Sequence, residues 1–80
     1  MKLTYDPNRN IAYIRLRERA GGQIETLRIS DELNIDMASD GSVYGIELLN
    51  ANEQLARSDG GRLVVVDGMD GRERELALVE

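Results

Sequence analysis

The sequence predicts an α+β domain that is mainly β: a five-strand antiparallel meander, one short helix after the fifth strand, and a C-terminal β-hairpin. Three observations carry this. Apolar and polar residues alternate over 33–37 and again over 44–48, with the hairpin-forming pair Asp40-Gly41 between them. Turn formers recur at Pro7-Asn8, Gly21-Gly22 and Asp31, at strand-length intervals, and again at Gly60-Gly61. The four turns read below all place apolar side chains on one common face, and agreement between levels outweighs any single reading.

Residues 1–5 and 11–17 read as strands joined by the turn formers Asp6-Pro7-Asn8-Arg9-Asn10. A four-residue loop over 7–10 sets Leu3 against Ile14, Tyr5 against Ala12 and Met1 against Leu16. Lys2, Thr4, Tyr13, Arg15 and Arg17 then share the opposite face. Gly21-Gly22 makes the next turn, and a hairpin centred there brings Leu16 to Leu27 and Ile14 to Ile29. Ser30-Asp31-Glu32 turns the chain again, so that Leu27 and Ile29 meet Leu33 and Ile35. A two-residue loop at Asp40-Gly41 sets Leu33 opposite Leu48, Ile35 opposite Ile46 and Met37 opposite Tyr44. Asn34, Asp36, Gly45 and Glu47 fall on the other face, and a one-residue slip would set apolar against polar, so the pattern dictates the register.

Asn50 followed by Glu53 reads as a capping pair that opens a helix running to about Arg57, with Ala51 and Leu55 on one side. Ser58-Asp59-Gly60-Gly61 is a breaker or hinge. Beyond it, 62–67 is a strand by its Leu63-Val64-Val65-Val66 run, and Gly68-Met69-Asp70-Gly71 turns the chain. Residues 72–80 fit a closing strand or a helix, and the alternation of Leu76 and Leu78 favours the strand. The chain divides into 1–57, a sheet with its helix, and 58–80, a hairpin arm of the same domain.

Five strands about 4.8 Å apart make a sheet roughly 20 Å wide, which a helix about 10 Å across cannot cover. The apolar face needs the hairpin folded back, a curl toward a barrel, or a second copy of the chain. An 80-residue chain buries only about 60% of its unfolded surface. The glycine hinge before an apolar hairpin permits an exchanged arm, and a homodimer is the expectation.

Composition excludes much chemistry. Without histidine or cysteine there is no imidazole base, no thiolate nucleophile, no disulfide and no histidine- or thiolate-bound zinc. No long apolar run and no secretory-type leader is present, so a cytoplasmic location is expected. The net charge of -5 argues against nucleic acid as the main partner. Charge is nevertheless uneven: residues 1–30 hold six basic against three acidic groups, and 31–80 hold four against twelve. Such a chain can neutralise itself, pair with another copy, or offer its acidic half to a basic protein.

The combination Tyr5-Asp6, Ala12-Tyr13-Ile14-Arg15-Leu16, Leu33-Asn34-Ile35-Asp36, Asp40-Gly41, Gly45-Ile46-Glu47 and Leu49-Asn50-Ala51 resembles the short bacterial and archaeal proteins grouped as domain of unknown function 2283. The resemblance covers about residues 2–56. It implies a small antiparallel sheet with a short helix and no assigned activity. Some members are encoded beside small toxin-like proteins, so the resemblance also implies an antitoxin-like role as one expectation. Asn10 and Asn34 stand where that family tends to have Asp, which thins any shared acidic cluster.

Two sets of residues are candidates for chemistry. Asp36 and Glu47 project on the same face of adjacent strands, where two oxygen ligands can hold Mg²⁺ or Ca²⁺; the bland alternative is a wet face, with Asp6 stabilising its turn and Glu53 its helix. Tyr13, Arg15, Arg17 and Arg19 share one parity, with Lys2 and Arg28 nearby. They can contact phosphates while Tyr13 stacks, or simply form a solvated or subunit-facing surface. Asp40-Gly41 and Gly21-Gly22 are not phosphate loops, and Leu63 to Val66, Leu63 and Val65 included, reads as core or interface. The expected function is a non-enzymatic, cofactor-free, self-associating interaction module, with a possible interaction surface of Tyr13, Arg15, Arg17, Asp36, Glu47, Leu63 and Val65. A nucleic-acid-binding sheet using Tyr13, Arg15 and Arg17 is the alternative.

Overall fold

The computed structural model of the chain describes residues 1–18, 21–56 and 60–78. Five strands form one antiparallel sheet: β1 (Lys2–Asp6), β2 (Ile11–Arg15), β3 (Ile24–Ser30), β4 (Leu33–Ala38) and β5 (Val43–Leu49). Helix α1 (Ala51–Leu55) follows β5, and β6 (Arg62–Val66) with β7 (Glu73–Ala77) forms a separate two-stranded hairpin. The mainly β architecture, the helix position and the closing strand are those the sequence implies. Arg19, which shares the parity of Tyr13, and the hinge residues Ser58 and Asp59 lie outside the described residues, as does Arg57 at the expected helix end.

The strand order is β1-β2-β5-β4-β3, which is a Greek-key arrangement and not the expected meander. β2 pairs with β5, setting Ala12 opposite Leu48 and Ile14 opposite Ile46, so the expected contacts of Leu16 with Leu27 and Ile14 with Ile29 do not form. The reason lies in β5 and β3. Every residue of β5 is at least half-buried, as a central strand requires, whereas five of the seven β3 positions are exposed and Glu25 sits on the apolar side opposite Met37. A charged side chain on the inner face suits an edge strand. Gly21 and Gly22, both at positive φ, therefore belong to a crossover from β2 to the far edge, and Leu16 is left 39% exposed.

Registers within the hairpins follow the apolar pattern closely. Leu3 lies opposite Ile14 and Tyr5 opposite Ala12, as expected from the four-residue loop. Leu33 opposite Leu48 and Ile35 opposite Ile46 also hold, but Met37 faces Val43 instead of Tyr44. The loop has three residues, Ser39, Asp40 and Gly41: Ala38 N donates to Ser42 O and Gly41 N to Ala38 O, with Gly41 at φ 88. An odd loop shifts the register by one, and a bulge between Asp36 and Met37 shifts it back, which preserves the faces. A second irregularity, between Arg28 and Ser30, takes Ile29 out of the ladder and leaves it 56% exposed.

Helix α1 is not opened by the expected Asn50–Glu53 capping pair. Asn50 is left-handed (φ 54) and makes no side-chain cap bond. The cap comes from the first turn: Asn10 Oδ1 accepts from Asn52 N at 2.7 Å and Asn10 O from Ala51 N at 3.1 Å. Asn50 is free for other work, and its Nδ2 donates to Glu32 Oε2 at 3.0 Å. Asn52 completes the joint, accepting from Tyr5 Oη at 2.6 Å and donating to Pro7 O at 3.0 Å. The helix is thereby pinned against β2, and its own Ala51 and Ala12 of β2 are the buried apolar residues among those described.

Candidate functional site

The polar face of the sheet is built around a missing side chain. Gly45 sits in the central strand β5, flanked by Arg15 on β2 and Asp36 on β4. The ring of Tyr13 lies across it, so close that a Cβ on Gly45 would fall 2.6 Å from the ring Cζ and clash with the hydroxyl. This placement carries the Tyr13 hydroxyl over β5 to Asp36 Oδ2, to which it donates at 2.6 Å. Thr26 Oγ1, arriving from β3, donates to Asp36 Oδ1 at 2.6 Å. One carboxylate thus ties β2, β4 and β3 together across β5.

Burial raises the Tyr13 pKa above the usual phenol value, and the Asp36 carboxylate that accepts its proton, with Tyr44 and Glu47 nearby, raises it further. Tyr13 is consequently a neutral donor at physiological pH. Glu47, directly opposite Tyr13 on β5, accepts from Asn34 Nδ2 at 2.9 Å. Asn34 Oδ1 is buried without a hydrogen-bond partner, which costs this face about 1–3 kcal/mol.

Asp36 and Glu47 do share a face, as the sequence implies, but they are diagonal neighbours: Asp36 stands opposite Gly45 and Glu47 opposite Asn34. Each is held by a different donor. Among the described residues no group of three or more carboxylates is gathered to hold a metal ion. Asp6 Oδ1 accepts from Asn8 N at 3.0 Å and Arg9 N at 3.2 Å and so closes the first turn, and Glu53 lies in the first turn of α1.

The basic residues are dispersed. Lys2 is directly opposite Arg15, whose guanidinium pairs with Glu18 at 3.2 Å. Arg28 is three strand spacings, roughly 14 Å, from the Arg15 strand, and it pairs with Asp31. Arg17 is exposed near Asp40, whose carboxyl is held below the usual carboxylate range by hydrogen bonds from Ser42 Oγ and N, with the Arg17 charge a lesser cause.

The apolar surface is the less finished part of the molecule. Leu63 and Val65 of β6, with Leu76, line a groove against Leu3 and Tyr5 of β1. Among the described residues no strand pairing joins this hairpin to the sheet. Val64, Val65 and Val66 are 39%, 54% and 54% exposed and Leu76 62%, so both faces of β6 present apolar side chains to solvent. The sequence marks Leu63 to Val66 as core or interface but does not mark Leu76; the unbroken Val64-Val65-Val66 run is the signal, since a strand apolar on both faces needs cover on both.

Among the described residues no helix is long and apolar enough to cross a membrane. No curated protein and no solved structure matches this chain. The sequence profile of one family matches residues 2–52, the sheet through the start of α1, and on that match the chain belongs to the family described as protein of unknown function (DUF2283).

Proposed function

We propose that this protein is a non-enzymatic interaction module that works as a homodimer, a second copy covering the apolar surface that one chain leaves open. One observation carries the reading: not a single large side chain is fully buried among the described residues, and the buried apolar residues are Ala12 and Ala51 alone. Helix α1 packs near β2 and the hairpin stands beside β1, while β3 and β4 rest chiefly on their strand neighbours. A sheet with a half-open apolar face and a hairpin apolar on both sides gain roughly 25 cal/mol for each Å² they remove from water, which a second copy supplies.

The acidic excess of residues 31–80 suits a basic protein as an outer partner, in an antitoxin-like manner. Recovery from a native lysate at low salt without any basic partner would remove that part of the proposal. The nucleic-acid alternative has less behind it. The Tyr13 hydroxyl is committed to Asp36, Arg15 to Glu18, and the remaining arginines stand apart.

Light scattering behind a sizing column tests the central claim. A mass of twice 8.9 kDa that falls toward the single-chain value on dilution is the expected result. A folded species that stays at the single-chain mass at every concentration would overturn it.

A further inference from the structure

We infer that two copies join edge to edge through β1, antiparallel about a twofold axis at Thr4, so that the two sheets become one of ten strands. This rests on the homodimer reading and says where the copies meet. The strand reads Lys2-Leu3-Thr4-Tyr5-Asp6: a cation, an apolar residue, a threonine, an apolar residue and an anion. Turned about Thr4 it complements itself. Lys2 meets the partner's Asp6, Leu3 meets the partner's Tyr5, and Thr4 meets the partner's Thr4, each on the matching face.

The backbone agrees with that register. Leu16 N donates to Tyr44 O at 2.9 Å, so Leu16, Ile14 and Ala12 turn their peptide groups toward β5. Alternation then turns Arg15, Tyr13 and Ile11 toward β1, where their partners are Lys2, Thr4 and Asp6. The N–H and C=O groups of Leu3 and Tyr5 are left facing out of the sheet. In the Thr4-centred register these are the residues that exchange hydrogen bonds with the partner's Tyr5 and Leu3, four bonds in all.

Charge points the same way. Lys2 lies directly opposite Arg15, a like-charged neighbour, and has no ion-pair partner among the described residues. The partner's Asp6 supplies one from the open side through Oδ2, which Arg9 Nε approaches only to 3.8 Å, while Oδ1 keeps closing the first turn. The other edge of the sheet is protected against such pairing: β3 carries the irregularity at Ile29 and an inward-facing Glu25. The groove between β1 and the hairpin is lined by Thr4 as well as Leu3 and Tyr5, so the partner's β1 would enter that groove and the same axis brings the two hairpins together at the seam.

The chain has no cysteine, so a single introduced thiol reports unambiguously. In an antiparallel pair without hydrogen bonds the Cα atoms lie about 4.5 Å apart, inside disulfide range, so Thr4→Cys should oxidise to a covalent dimer. Lys2→Cys places its two thiols about 13 Å apart and should stay uncrosslinked. Circular dichroism of both variants checks that each remains folded. Unchanged chain gives the second readout: the Leu3 and Tyr5 amides should exchange at least tenfold more slowly at dimer concentrations than after dilution. If the protein scatters as a dimer while Thr4→Cys resists oxidation, or crosslinks no faster than Lys2→Cys, edge pairing is wrong and the homodimer stands. If it scatters as a monomer throughout, both fail.

Discussion

The two faces of the five-strand sheet are finished to different degrees. On the polar face Tyr13, Asp36 and Thr26 lock three strands across Gly45, and Asn34 holds Glu47 beside them. On the apolar face Leu3, Ile14, Ile35 and Ile46 are only half-buried, with α1 and the hairpin reaching one side. Usually the apolar face is the one a small domain closes by itself. Here the side-chain hydrogen bonds that join strands lie on the polar face within one chain, and the apolar face is left half-open. The contrast teaches that polar contacts can brace a sheet whose apolar face the same chain leaves half-open.

The largest effect should come from the open face, and it should depend on concentration. Ile46 lies in the middle of β5 between Ile14 and Ile35. If a second copy completes its surroundings, Ile46→Ala should cost about 3 kcal/mol where the protein is dimeric, the range for a core truncation. Diluted to monomer, the half-buried side chain should be worth about 1 kcal/mol. Denaturant midpoints at two protein concentrations measure the difference. Equal losses at both would show that the apolar face is no less finished than the polar one, and would break the contrast.

The polar face should respond to addition, not deletion. Gly45→Ala places a methyl group where the Tyr13 ring lies, and Gly45 is not among the positive-φ residues, so the penalty is steric rather than conformational. Swinging the ring aside also breaks its bond to Asp36, for a total loss of about 2 kcal/mol. The same substitution in a Tyr13→Ala background should be neutral or stabilising, because alanine is the better strand residue by about 0.5 kcal/mol once the clash is gone. Additive losses in the double-mutant cycle would mean that ring and glycine do not interact.

How far the sequence reveals this molecule depends on the range of the interactions. The hairpin of β4 and β5 is legible because alternation and turn chemistry act over neighbouring residues, and even the odd loop is absorbed by a bulge that keeps Ile35 against Ile46. The partner of β2 is not legible by that route. Adjacent strands usually pair, but β3 with its inward Glu25 belongs at an edge, and the competition between β3 and β5 for β2 is decided by burial across the whole sheet. The helix cap failed for a similar reason. Asn50 has the right chemistry, yet Asn10, forty residues earlier in the chain, takes the position. Tyr13 and Asp36 were flagged as surface residues, but their joining across Gly45 depends on a strand pairing that local pattern does not contain.

The smallest effect distinguishes the two faces by pH. Tyr13→Phe removes the hydroxyl but keeps the ring over Gly45, and with Thr26 still bound to Asp36 it should cost about 1 kcal/mol near neutrality. The more telling signal lies at alkaline pH. An unfolded tyrosine loses its proton near pH 10, while burial and the Asp36 carboxylate raise the folded value above that. Below the unfolded value both states hold the proton and the contribution is complete. As pH rises past it, the unfolded chain binds fewer protons than the folded one, so stability falls until the folded group also ionises. Wild type should therefore lose stability above about pH 10 more steeply than Tyr13→Phe. Parallel curves would show that the Tyr13 hydroxyl is as open to solvent as the apolar face on the other side of the sheet.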